Sequence, residues 1–316
     1  MNTSNFKLVN IAIGIEGTDY AFSINQLISL KYTESIKSAS VRMEVQLTDT
    51  RDGVLSAAQG MEPIYFEFQD HLENTFAMDL VVYDIQDRIV LNGKSKASLL
   101  CCSPDLVNNA SAKISRRFGS GGGKSIDKIV EDDILTNILG TEREIVEMSP
   151  TKNKFSFVAC YWSPFTIIKW MATKAIPSGG SGANVSAGYA FFENALGYNF
   201  IAYDDFAKKE YRKKMIVGYD EPELGEPDKS IIPISNMRVV HAGDILRGLN
   251  YGSYSSKFMT FDVKDMSYTE HSFNISKYYK DVPKMNGDVD LPTYFEKFEK
   301  TTAPTRIISK IMDTAL

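Results

Sequence analysis

The sequence predicts an α+β protein, with antiparallel strands towards both ends and a mixed helix–strand region between them. Three observations carry this reading. Val41, Met43, Val45 and Leu47 alternate with Arg42, Glu44 and Gln46, the period-two pattern of a strand with one buried face. Two Ser-Pro pairs, Ser103-Pro104 and Ser163-Pro164, each set an N-capping residue before a proline that suits the first helical turn. Aromatic-rich Tyr189–Glu193 and Tyr198–Tyr203 read as the two strands of a hairpin, joined by a short turn containing Gly197.

From residue 8 to about residue 100 the pattern is β throughout. Strands are expected at Leu27–Tyr32 and Val41–Leu47, then a short segment Asp52–Gly60. Met61-Glu62-Pro63 turns the chain into Ile64–Phe68, followed by Phe76–Tyr83 and Ile89–Leu100. Ser103 then starts a short helix over Asp105–Ala112. A second helix follows Ser125, with Ile126, Ile129, Val130, Ile134 and Ile138 on one stripe. Asp127, Glu131 and Asp132 lie off that stripe, and Gly140 ends the helix. After Ser163 a third helix sets Phe165, Ile168, Ala172 and Ala175 on one face. Phe165, Ile168, Ala172, Phe191 and Phe200 are therefore the candidate core of the middle region. Ser178–Gly182 reads as a flexible loop. The basic run Lys208–Lys214 precedes an acidic, Pro-rich one, Tyr219–Asp228, and reads either as a solvated loop or as a nucleic-acid patch. Strands return at Phe258–Val263 and Tyr268–Ile275 after a turn at Asn250–Ser253. The tail from Asp281 is polar until a short helix at Ile307–Met312.

A chain of 316 residues is long enough for two or three cores. Its net charge of −5 argues against a general binder of nucleic acid or anionic membrane, since both need a positive surface. No apolar run approaches the roughly 18 residues of a membrane span, and Met1–Asn10 has no signal-peptide core, so folding in a cytoplasm is expected. Cys101, Cys102 and Cys160 sit in apolar runs without metal spacing, which favours buried, reduced thiols over a disulfide.

Each candidate catalytic motif fails at a residue its chemistry requires. Gly119–Ser125 imitates a phosphate-cradling loop before a helix, but Phe118 stands where the pattern needs glycine. A glycine loop with Ser125 as N-cap is the expectation. His71, His241 and His271 are isolated. Ser181 lacks the last glycine of a nucleophile elbow. Asn286, Asp288 and Asp290 imitate a calcium loop, yet Leu291 and Lys297 occupy its glycine and glutamate positions. Forty acidic residues always allow two to converge as a glycosidase pair, but no segment resembles a lysozyme domain. Trp162 and Trp170 flank the third helix start as core or interface residues. No catalysis, metal or cofactor is expected.

The wording SPFTIIKWM followed by GYAFFENALGYNF resembles the middle domain of the baseplate hub proteins of contractile-tailed bacteriophages. Further parts follow in the family's order: SASVRMEVQLTDT and GMEPIYFEF first, then ASLLCCSPDLVNNASAKISRRF, and late in the chain YGSYSSKFMTFDVKDMSYTEHSFNI. The resemblance implies two antiparallel, barrel-like tail-tube domains with an intervening α+β domain. It places the first at 1–103, the middle domain at 104–206, the second tube-like domain at 207–280 and a tail at 281–316. That second domain has fewer strands after its first hairpin than the family usually shows. The resemblance further implies a structural homotrimer, assembled in the host cytoplasm and built into the virion tail. The trimer would adapt the hexameric tail tube protein to the trimeric central spike protein, touch baseplate wedge proteins, and let DNA pass without binding it or a membrane. On this view Arg42, Glu44 and Gln46 line the lumen, although a solvent-facing outer sheet fits the same alternation. The type VI secretion spike, whose N-terminal half is hub-like, and an enzyme of P-loop or hydrolase type are the alternative classes.

Overall fold

The computed structural model describes residues 6–49, 53–70, 74–91, 93–119, 121–179, 188–209, 214–217, 231–234, 237–238, 244–278, 304 and 306–312. Two compact units emerge, one from residues 1–178 and 187–203, the other from 179–186 and 204–316.

The first unit holds two cores. The N-terminal one belongs to seven strands: β1 (Phe6–Ile15), β2 (Thr18–Ala21), β3 (Leu27–Thr33), β4 (Arg42–Asp49), β5 (Pro63–Asp70), β6 (Thr75–Leu91) and β7 (Lys94–Cys102). They form one antiparallel sheet in the order β2-β1-β5-β6-β7-β4-β3. Alternation on β4 is realised in full: Val41, Met43, Val45 and Leu47 are buried, while Arg42 and Glu44 are exposed. The sheet curls into a half barrel, because edge strand β3 reaches back across the core. Tyr32 packs 6.0 Å from Phe66 and 5.7 Å from Phe68, both on β5. Its hydroxyl meets the sulfur of Met78 on β6 at 3.5 Å. The short helix α1 (Val54–Ala57) adds Val54 and Leu55 to the same core.

Strands Phe76–Tyr83 and Ile89–Leu100 were expected here, with a break at 84–88; instead β6 runs unbroken to Leu91, and the break falls between Leu91 and Lys94, inside the second expected strand. The polar stretch Asp84–Arg88 stays paired with β7 through register shifts at Val82/Asp84 and Gln86/Ile89. Asp87 takes a left-handed φ of 51°. Extra residues are thus absorbed as bulges rather than as a turn.

The second core is built from α2 (Pro104–Ser111), α3 (residues 126–139) and α4 (Pro164–Ala172), with strands β8 (Arg117–Phe118), β9 (Lys124–Ser125), β10 (Ile145–Met148), β11 (Lys154–Phe155), β12 (Phe157–Val158), β13 (Tyr189–Glu193) and β14 (Tyr198–Ala202). All ten residues of the hairpin β13–β14 are buried, and β10 runs parallel beside β14. Helix α3 starts as Ile126–Lys128 and continues π-wound over Ile129–Leu139. The wider winding brings Leu135 and Leu139 into the core beside the expected Ile126, Ile129, Val130 and Ile134. Gly140 closes it in a left-handed conformation, φ 60°. Asp127, expected on the outer face, is buried. It exchanges hydrogen bonds with Thr151, whose hydroxyl also accepts from the N–H of Ile126.

Helix α4 starts where the Ser-Pro pair predicts. Its Ser163 side chain contacts Thr166 instead of capping the backbone, and Asn109 of α2 accepts from the Phe165 N–H at 2.7 Å. A cap supplied by another helix ties α4 to α2. Pro164, Ile167 and Met171 join Phe165, Ile168, Ala172 and Ala175 in the core.

The second unit contains α5 (Tyr203–Lys208, its first residue in the first unit), the parallel pair β15 (Lys214–Val217) and β16 (Ile231–Ile234), α6 (Ile245–Tyr251), β17 (Ser255–Asp262), β18 (Ser267–Asn274), α7 (Ile275–Tyr278) and β19 (Arg306–Met312). The expected turn at Asn250–Ser253 is the end of α6, a helix the sequence reading missed. Asp244 caps its start by accepting from the Arg247 N–H, and Gly252 ends it at φ 74°. Ile307–Met312, expected to be helical, is strand β19. It pairs parallel with β17 over seven positions, so strand pairing and the β-branched run decide over local helical spacing. The loop Ser178–Gly182 past residue 179, the acidic run Tyr219–Asp228, most of Lys208–Lys214, Ser181, His71, His241 and Asn286–Lys297 lie outside the described residues.

Ile168 is fully buried in the second core. Ile168→Asp would place an unpaired carboxylate there and should cost about 4 kcal/mol or more. Urea denaturation checks this: a variant that is soluble with an unshifted midpoint would show that the α4 face is not core.

Candidate functional site

Two features of the first unit bear on function: the polar face of the half barrel and the buried junction that holds the two cores together. On the polar face, Lys31 lies opposite Glu44, and Glu44 opposite Leu100, which in turn pairs with Asp84. One step along the strands, Gln46 donates to the Ser98 hydroxyl at 3.1 Å. Of the residues expected on this face, Arg42 and Glu44 are exposed and Gln46 is half-buried. Lys31 and Glu44 thus form one opposite-charge cross-strand pair, which is favourable for pairing, and the neutral Leu100 separates Glu44 from Asp84.

The junction centres on Glu193, the last residue of β13, which is fully buried. One carboxylate oxygen accepts from the Val41 N–H at 3.0 Å, just before β4. The other accepts from Arg143 Nε at 3.1 Å. The same arginine donates through Nη2 to the Asn194 and Ala195 carbonyls, both at 3.0 Å, and so clamps the hairpin turn. Ser103 also bonds the carboxylate and contacts Ser40 at 3.2 Å. Glu34, at the end of the β3 side, accepts from the Ala195 N–H at 2.7 Å. Gly197 permits the turn: at φ 149° a side chain there would run into the Glu144 carbonyl.

Burial pushes the Glu193 carboxyl above its ordinary range, against the Val41 and Ser103 hydrogen bonds and the Arg143 charge, which pull it down. Burial likewise raises the phenol of Tyr198, whose hydroxyl lies in the same node near Ser103 and Asp105. Aromatic residues were the readable signal for this hairpin. The glutamate that ends it was missed, because its arginine lies 50 residues away in sequence.

In the glycine loop the lysine and two of the glycines have partners within the fold. Lys124 is held by Asp132 and Asp133 of α3 at 3.1 and 3.0 Å. A side chain on Gly119 would strike the Phe155–Ser156 backbone and one on Gly123 would crowd Lys154, so both glycines serve close packing of β8 and β9 on β12 and β11. Cys101 and Cys102 are buried as expected, and Cys160 is exposed, contrary to expectation. Burial raises both inner thiols, Cys102 to about 11. Among the described residues no three His, Cys, Asp or Glu side chains gather as a metal site requires.

Because Glu193 holds its proton more tightly in the folded than in the unfolded chain, this site favours folding most at low pH. That advantage is lost as pH rises from about 4.5 through the raised pKa. Stability of the wild type relative to Glu193→Gln should therefore fall with pH across that window and stay level above it. Glu193→Ala, which strands Arg143 and the Val41 N–H, should cost about 3–5 kcal/mol. Urea midpoints from pH 4 to 8 test both; parallel wild-type and glutamine curves would remove the carboxyl from the account.

No protein-family model matches the sequence, and no curated protein matches it. Solved structures do match. A 43 kDa tail protein of prophage MuSo2 from Shewanella oneidensis superposes with a TM-score of 0.51 at 11% identity, over 98% of this chain and 73% of that one. A tail protein from Neisseria meningitidis gives 0.51 at 6% identity, over 98% and 72%. A type VI secretion component from E. coli is a looser match, 0.41 at 10% identity over 68% and 52%. The chain is similar in fold to phage tail proteins.

Proposed function

We propose that this chain is the structural baseplate hub of a phage-type contractile tail. In this role three copies form a ring that adapts the hexameric tail tube to a trimeric central spike and lets DNA pass. The observation that carries the reading is the fold likeness to tail proteins over 98% of the chain. A half barrel whose outer strands β2 and β3 pair on one side only, among the described residues, supports it. Such edges invite closure by neighbouring copies in a cyclic, head-to-tail arrangement. The second unit, whose three-stranded sheet runs β18-β17-β19, is the counterpart of the second tube domain in this reading.

In the ring, Arg42, Glu44 and Gln46 turn towards the three-fold axis. A bore that conducts DNA should be polar without strong positive charge, since several phosphate–cation contacts would hold the polyanion in place. One arginine, one glutamate and one glutamine per copy meet that condition. The hub works without catalysis or cofactor, and its partners are the tube, the spike and the wedge proteins.

Light scattering of the purified chain, alone and mixed with a candidate trimeric spike protein from the same genome, should give three times the chain mass in at least one sample. A structure of that assembly should set Arg42, Glu44 and Gln46 around a central channel. A chain that stays monomeric in both samples, or ATP turnover abolished by Lys124→Ala, would overturn the reading.

A further inference from the structure

The middle module carries a second surface, on the side formed by β8, β11, β12 and α4. Its aromatic rings form a continuous ladder: Phe118 stacks on Phe157 at 5.1 Å, and Phe157 and Phe155 meet Trp170 at 5.1 and 5.5 Å. Trp170 meets Trp162 edge-on at 5.4 Å. Except for Phe118, these rings are only half-buried. Cations border them. The Arg116 guanidinium lies 4.7 Å over Phe118, and the Lys174 ammonium 5.9 Å over Trp170. Arg117 forks onto the Ser156 hydroxyl, Lys152 bonds the Ile176 carbonyl through its backbone, and Lys154 lies in β11.

All five of these cations are exposed, and none makes an ion pair among the described residues, whereas nearby Lys124 and Lys128 are each held by carboxylates. In a chain of net charge −5 this is a local excess of positive charge, complementary to an acidic partner. Exposed apolar side chains stand among the cations: Tyr161 at 71% exposure, Val158 at 60% and Ile176 at 44%. Half-buried tryptophans, arginine and apolar groups together have the composition of an interface centre.

We propose that this rim docks a protein segment whose carboxylates alternate with apolar side chains. Charge complementarity selects the acidic groups, and Val158, Tyr161 and Ile176 meet the apolar ones. Single-stranded nucleic acid fits less well. Base stacking needs free ring faces, and within the ladder Phe118 and Phe157 face each other while Arg116 and Lys174 lie over Phe118 and Trp170, which leaves Tyr161 as an isolated exposed ring rather than a row of them.

Both tryptophans of the chain lie in this rim, so the intrinsic emission of the whole protein reports on it. A synthetic peptide of alternating glutamate and leucine should shift that emission saturably. Binding should weaken about tenfold in the double variant Arg116→Ser with Lys174→Ser, and again on raising salt. Carbodiimide coupling should join peptide carboxylates to Lys152, Lys154 or Lys174. The proposal fails if the peptide gives no saturable shift, if a lysine–leucine peptide shifts the emission equally, or if coupling maps elsewhere. Tighter binding of oligothymidine than of the acidic peptide would also overturn it, in favour of nucleic acid. Should the double variant melt lower than wild type, the coupling map with the wild-type chain decides alone.

Discussion

The first unit depends on one buried carboxylate. Glu193 ends the central hairpin of the middle module, yet it accepts a hydrogen bond from Val41, the residue that leads into β4 of the half barrel. Two cores that could otherwise slide past each other are thereby fixed in register. The cost of taking a carboxylate out of water is offset because every oxygen is used, by Val41, by Arg143 and by Ser103. Arg143 adds direction. Its planar fork spans the carboxylate and two turn carbonyls from two separate nitrogens, a spread that a lysine ammonium, with all its donors on one nitrogen, does not reproduce.

Local signals in the sequence were largely legible. Alternation on β4, proline after serine at the starts of α2 and α4, Gly140 at the end of α3 and the aromatic hairpin all found their elements, because each depends on a few adjacent residues. What stayed hidden depends on distant partners or on backbone winding. The π-wound turns of α3 carry no residue signature, so Leu135 and Leu139 were left out of the expected core. The run at 307–312 has helical spacing in isolation and becomes a strand only because β17 offers an edge. Asp84–Arg88 has the composition of a turn and the structure of a bulged strand.

At the candidate sites the same division holds. Which faces of β4 are polar could be read from the alternation alone. The Arg143–Glu193 clamp could not, since its members lie 50 residues apart, and although Arg116 and Lys174 each sit over a ring nearby in sequence, that the two rings share one ladder depends on the fold. The glycine loop shows the opposite error that sequence invites: of the residues that imitate a phosphate cradle, Gly119 and Gly123 lie against Phe155 and Lys154, while Gly121 and Gly122 take left-handed turn conformations in open space.

The placement of the three cysteines has a consequence of its own. Two adjacent thiols on β7 are sealed inside the sheet and held protonated, so they are poor nucleophiles and poor targets for oxidants. Only Cys160 meets solvent, and it has no neighbour to pair with among the described residues. Transfer from a reducing to an oxidising medium therefore leaves the half barrel chemically unchanged. The same arrangement gives the folded chain a single sulfur handle, two residues from Trp162, at which a probe can be attached without disturbing either core.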